Sequence, residues 1–248
     1  QRACSLGYAD GWSTTLEAVP RDARGAFVCT PVDLVPEIAC RLLELTGDAA
    51  FVTDVGSTKA GIVRRVQQEA VSADRFVGSH PMAGSEKNGY RNARDDLFAQ
   101  ATVVLTPVEK TRADALAAVR DLWTSFGSRV VSMTPEQHDT TVGMTSHLPH
   151  LLSFCYAAAL AEGQREGGDF QRAWGNGLRD VLRLAGSDPD LWSGIMTDNR
   201  SALLRALDVM ERQIRVVRDL LDRADRQGLT DYLAICRKQL EDICVQDR

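Results

Sequence analysis

The stretch AFVTDVGSTK, Ala50–Lys59, decides the fold. Ala50–Val55 is a short apolar run rich in β-branched residues, which reads as a buried strand. Gly56-Ser57-Thr58 then turns the chain. From Lys59 to Ala70 the apolar residues Ile62, Val63 and Val66 recur at helical spacing. Gly56 permits the tight turn, and Ser57 or Thr58 can cap the helix or touch a ligand.

The same alternation extends in both directions. Upstream, Ala26–Thr30 reads as a strand ending at Pro31, and Val32–Leu45 as a helix carrying Val35, Ile38, Ala39, Leu42 and Leu43. Downstream, Phe76–Ser79, Ala101–Thr106 and Ser128–Met133 read as strands, with a helix over Thr111–Phe126. Strands alternating with helices predict a parallel sheet covered on both faces, because parallel neighbours need long crossovers. Past Thr134 the strand signals stop. Pro135–Ala161 reads as one long helix. Ser201–Ala224 reads as another, with an apolar stripe of Leu204, Leu207, Met210, Ile214, Val217 and Leu221. The expected plan is an α/β domain over residues 1–133 and an all-α domain over residues 134–248.

Composition narrows the function classes. The 248 residues are 44% hydrophobic and 25% charged, ordinary values for a globular chain. A formal charge of −5 argues against nucleic acid as a partner. No apolar run is long enough to cross a bilayer, and the first residues lack signal-peptide architecture. The six cysteines show no C-x-x-C spacing and read as reduced thiols, so a cytoplasmic location is expected.

The four histidines lie in two short segments: His80 in GSHPMAGSEKNG, and His138, His147 and His150 in EQHDTTVGMTSHLPH. Histidine is the side chain best suited to moving protons near neutral pH. His80 follows a strand, where ligands of open parallel sheets bind, and Ser85 continues its loop. His147 and His150 share a helical face, and Pro149 between them marks a helix start or a kink. With His138 and Asp139 they could form a zinc set, but no H-E-x-x-H pattern occurs and an alternating domain suits a nucleotide better. Arg183 carries the planar fork that clamps small carboxylates.

The stretches DVGSTK (54–59), FVGSHPMAGSEKNG (76–89), LTP (105–107), PEQHD (135–139), SHLPH (146–150) and LRDVLRLAGSDPDLW (178–192) resemble prephenate dehydrogenases in order and spacing. That resemblance implies a Rossmann-like domain of the 6-phosphogluconate-dehydrogenase type followed by a helical, dimerising domain. It implies NAD or NADP as cofactor, with NAD favoured, and contacts to it from Thr30, Pro31 and Ser57. His80 is then the catalytic group on the substrate's ring hydroxyl, with Ser57 beside it. His150, Arg183, Ser85 and His147 are substrate-binding positions, and no metal is required. The implied reaction is oxidative decarboxylation of prephenate to 4-hydroxyphenylpyruvate. Arogenate and amino-deoxyprephenate dehydrogenases would share nearly all these residues, and a silent, truncated paralogue is the alternative without activity. The second histidine of SHLPH, as a donor to the pyruvyl side, favours prephenate. The family's opening G-x-G-x-x-G turn is not in this sequence, so the nucleotide-binding domain is expected to be incomplete at its start.

Overall fold

The computed structural model describes residues 2–84 and 93–244. Five strands form one sheet in the order β1 (Gly25–Val28), β2 (Phe51–Asp54), β3 (Phe76–Pro81), β4 (Thr102–Thr106) and β5 (Arg129–Ser132). Every residue of β2 and β3 is buried, as expected of strands covered on both faces. Successive side chains point to opposite faces, so neighbours along a strand join different cores. Val52 and Phe76 pack with Val35, Ala39 and Leu42 of α2 (Val35–Leu45) and with Ile62, Val63 and Val66 of α3 (Ala60–Glu69). Phe51 and Val77 pack instead with Ala115, Val119 and Trp123 of α4 (Ala113–Ser125).

One expectation is corrected. The sheet is mixed, because β4 runs antiparallel to β3 while the β1–β2, β2–β3 and β4–β5 pairs are parallel. A parallel partner for β3 would need a crossover element. The described residues of the connection, 82–84 and 93–101, contain no helix. Alternation of apolar runs reports burial and does not report a strand's direction.

The helical region starts with α5 (Pro135–Val142), whose N-cap Thr134 and Gln137 form a capping box. The single helix expected over Pro135–Ala161 is interrupted by a π turn at Gly143–His147 before α6 (Leu148–Arg165). Pro149 lies in the first turn of α6 and has no N–H to donate backwards, which is where the hydrogen-bond register changes. Next come α7 (Asn176–Leu182), α8 (Pro189–Asp198), α9 (Arg200–Asp222) and α10 (Arg226–Cys244). The sheet and α5–α8 belong to one compact unit, Gln1–Leu203, and Leu204–Arg248 form a second. Within the second unit, Tyr232 on α10 donates to Gln213 on α9 at 3.1 Å.

Arg75, 2% exposed, holds the amino end of β3 to the carboxyl end of α2. Its guanidinium donates to the carbonyls of Leu43, Gly47 and Ala50 and to the Thr46 hydroxyl. A cation at a helix C-terminus complements its unsatisfied carbonyls and dipole. Arg75→Met strands these acceptors in the interior. It should lower unfolding free energy by about 3 kcal/mol, measured by urea denaturation; a loss below about 1 kcal/mol would contradict the role given to this clamp.

Candidate active site

The carboxyl ends of β1, β2 and β3 emerge side by side, since Val28 pairs with Asp54 and Thr53 with Val77. At the end of β2 the Asp54 carboxylate organises the turn that follows. It accepts from the Gly56 N–H at 2.9 Å and the Ser79 N–H at 3.1 Å, and forms an ion pair with Lys59. Both partners of that pair are fully buried. A Cβ on Gly56 would come within 2.9 Å of the Asp54 carboxylate, so this turn needs glycine for space rather than for its φ.

Asp139 on α5 meets the same turn from the helical side. Its Oδ1 accepts from the Lys59 N–H at 2.8 Å and its Oδ2 from the Ala60 N–H at 2.9 Å, at the open N-terminus of α3. Oδ1 also lies 2.7 Å from His138 Nδ1, and His138 Nε2 lies 2.8 Å from His80 Nδ1. Sequence reading singled out all three residues, but only the fold joins them in a line. The resulting chain is Asp139–His138–His80, with His138 fully buried.

His80 lines a cleft of about 380 Å³ together with Ser57, Met82, Ser146, His150, Arg183 and Trp192. Burial lowers the His80 pKa well below the ordinary histidine value, and the neighbouring His138, Lys59 and His147 push it the same way. The ring is therefore uncharged at neutral pH. Across the cleft, His150 stacks on Trp192 with ring centroids 3.5 Å apart and planes inclined by 19°. Its Nδ1 donates to the Ser146 carbonyl at 2.9 Å, which leaves Nε2 of the neutral ring an acceptor. Burial and, after it, Arg183 lower the His150 pKa, while the Ser146 bond opposes them. In its neutral form His150 therefore presents an acceptor, not a donor, to the cleft.

Of the other residues expected at the site, Ser57 and Arg183 line the cleft. His147 does not line it: the residue is 1% exposed, edge-on to Trp192 at 5.9 Å between centroids. Its Nδ1 accepts from Asn199 Nδ2 at 3.0 Å. Thr30 follows β1 and lines a separate cavity of about 760 Å³ with Cys29. Pro31 is exposed. Ser85 lies outside the described residues. A larger cavity of about 930 Å³ opens beside Gly25 and Phe51 at the amino ends of β1 and β2, with none of the histidines in its wall. Asn199, Lys59 and Asp54 carry structural weight here that their sequence context did not signal.

Burial, foremost, lowers the His147 pKa from 6.5 to about 4. A ring kept neutral by the fold takes up its proton later than the unfolded chain does. Its stability contribution is complete above pH 6.5 and is lost as pH falls toward 4, reaching about 3 kcal/mol. His80 and His150 act in the same direction. In His147→Gln the acid decline of unfolding free energy should become shallower by about one proton; an unchanged slope would contradict the assignment.

Comparison with known proteins agrees with this geometry. Residues 1–132 match the family model "Prephenate dehydrogenase, nucleotide-binding domain", and residues 134–235 match "Prephenate dehydrogenase, dimerization domain". The chain is 31% identical to the prephenate dehydrogenase of Bacillus subtilis (strain 168) over 93% of its own length, and spans 62% of that protein. Two solved structures superpose on nearly the whole chain. One is prephenate dehydrogenase from Aquifex aeolicus in complex with hydroxyphenyl propionate and NAD+. It has a TM-score of 0.85 and 31% identity, covering 98% of this chain and 84% of that one. The other is Synechocystis arogenate dehydrogenase, with a TM-score of 0.82 and 29% identity, covering 98% and 86% respectively. With both family models matched in order and the histidine cleft at the carboxyl ends of the strands, the chain belongs to the prephenate dehydrogenase family.

Proposed function

We propose that this protein oxidatively decarboxylates prephenate to 4-hydroxyphenylpyruvate with NAD or NADP, NAD being favoured. The observation that carries the reading is an uncharged His80 facing a cleft that also presents Arg183. Family membership and the NAD+ complex of the Aquifex relative support the cofactor class. The residues present fit a nucleotide: Ser57 and Thr30 follow adjacent parallel strands, where such ligands bind. Among the described residues the buried Thr30 hydroxyl has no hydrogen-bond partner, so it is available to a ligand.

When bound, the nicotinamide supplies the hydride acceptor. The task left to this chain is to orient the substrate and take one proton, because aromatisation of the ring supplies the drive. His80 accepts the proton of the ring hydroxyl as the carbon bearing it is oxidised. The Arg183 guanidinium holds a substrate carboxylate by paired, charge-assisted bonds. Trp192, stacked on His150 and braced by His147, forms the apolar wall against the ring. His147 thus acts behind the substrate pocket.

A second reading, arogenate, rests on His150. Its neutral ring presents an acceptor to the cleft, which suits the ammonium group of an amino-acid side chain better than a keto oxygen. Assay of both substrates decides between them.

We also propose a homodimer. Among the described residues, Leu204, Ile214 and Leu221 on the stripe of α9 are 51%, 55% and 60% exposed. Leu233 and Leu240 of α10 are exposed too, and such apolar surface marks an association site. The family's helical region is named a dimerization domain. Cys4, Cys29, Cys40, Cys155 and Cys236 are free thiols, in keeping with a reducing compartment such as the cytoplasm.

Turnover is read as reduced cofactor at fixed prephenate. His80→Ala should lower kcat by about 10²- to 10⁴-fold. In the wild type, activity should persist below the usual histidine range and fall only as pH drops through the lowered His80 pKa. Reduction of neither cofactor with either substrate, by protein verified as folded, would sink the proposal. Arg183→Gln should raise KM about 10- to 100-fold, the worth of a charge-assisted carboxylate contact; an unchanged KM would remove Arg183 from substrate binding.

A further inference from the structure

Which nitrogen of His80 carries its hydrogen can be worked out from the groups behind it. The Asp139 carboxylate receives three donors: the Lys59 and Ala60 backbone N–H groups and the His138 ring. A carboxylate with all three directed at it only accepts, so His138 donates from Nδ1. The other nitrogen of the neutral His138 ring, Nε2, is then a lone pair. It lies 2.8 Å from His80 Nδ1, which must supply the hydrogen of that bond. His80 Nε2 is left as a lone pair on the cleft side.

We propose that His138 and Asp139 are positioning residues that fix His80 as its Nδ1–H tautomer, so that Nε2 can accept the proton of a substrate hydroxyl. This rests on the reading of His80 as the proton acceptor. The opposite tautomer would set two lone pairs against each other between the rings and present an N–H to the hydroxyl. Solvent does not reach the line to exchange its hydrogens, since His138 is 0% and Asp139 6% exposed. Asn199 steadies it from a further direction, donating from Nδ2 to the Asp139 carbonyl at 2.7 Å. A proton arriving at His80 Nε2 is met by the Asp139 charge through the same two hydrogen bonds. Among the described residues, the charged and titratable groups around His80 are His138 on α5, Lys59 after β2 with its partner Asp54, His147 in the π turn, and His150 and Arg183 in the wall of the same cleft. His138, Lys59 and His147 all disfavour the imidazolium, so what the Asp139–His138 line supplies is the orientation and hydrogen position of the His80 ring.

The rival account is purely structural, with Asp139 as a cap for α3 and His138 as core filling. The two separate by ¹⁵N NMR of the imidazole nitrogens, which is tractable with four histidines, the His80 signals being assigned by their loss in His80→Ala. In the wild type, His80 should show a protonated Nδ1 and an unprotonated Nε2. Asp139→Ala removes the acceptor of the His138 Nδ1–H, so nothing on that side fixes the ring order and His80 should lose its single Nδ1–H form for a population protonated at Nε2. Its kcat on prephenate should fall about 10²-fold or more with KM changed less than about twofold. His138→Gln keeps a carbonyl acceptor for His80 Nδ1 and should retain the wild-type tautomer and more activity than His138→Leu. That pair decides the matter if Asp139→Ala does not fold. The proposal is overturned by a wild-type His80 protonated at Nε2. It is also overturned by a folded Asp139→Ala with the tautomer and kcat unchanged. The expected ring nitrogens in a protein that turns over neither substrate would leave this tautomer assignment standing and remove the functional reading instead.

Discussion

The Asp139 carboxylate is the joint on which the site depends. A helix N-terminus carries unsatisfied N–H groups and partial positive charge, and an anion placed there is bound by geometry and field together. Here that anion belongs to α5, so satisfying the first turn of α3 also fixes α5 against the carboxyl ends of the strands. The side chain adjacent to it in sequence, His138, is thereby aimed at the last residues of β3, and His80 is held in turn. One carboxylate thus couples the turn after β2, the first helix beyond the sheet and the histidine at the cleft.

Around that joint the polar groups are buried, and burial sets their protonation. His80, His147 and His150 are all displaced toward the neutral form, each chiefly by loss of solvent. A cluster of uncharged imidazoles next to a buried Asp54–Lys59 pair is a site that can receive a proton without already holding one. Arg183 brings positive charge into the same cleft, so acceptor and cation occupy one small volume. Acid–base work and carboxylate recognition are separated onto different side chains, which lets each be tuned by its own neighbours.

Much of this was legible in the sequence, and for identifiable reasons. The strands and helices around Ala50–Lys59 follow from apolar periodicity, which responds to burial on one face. The gathering of four histidines into two segments pointed to a shared site. The direction of β4 was not legible, because apolar alternation reports burial and says nothing of how a strand runs against its neighbour. Nor was the π turn before Pro149, since apolar spacing looks continuous through a change of hydrogen-bond register. The roles of Asp54, Lys59 and Asn199 were not legible: the first two stand in the Ala50–Lys59 stretch, but their bonds to Ser79 and Asp139, like that of Asn199 to a carbonyl 60 residues away, arise only in the fold. His147 and His150 do share a face, as their spacing implies, yet burial sends one behind Trp192 and the other into the cleft.

The account turns on one relation, the meeting of His80 with a substrate hydroxyl while Arg183 holds a carboxylate. A crystal structure of the protein with 4-hydroxyphenylpyruvate and oxidised nicotinamide cofactor tests it most directly. The phenolic oxygen should lie within hydrogen-bond reach of His80 Nε2, about 2.6 to 3.2 Å, with the side-chain carboxylate on Arg183. A ligand bound with its hydroxyl turned away from His80, or lodged outside this cleft, would contradict it.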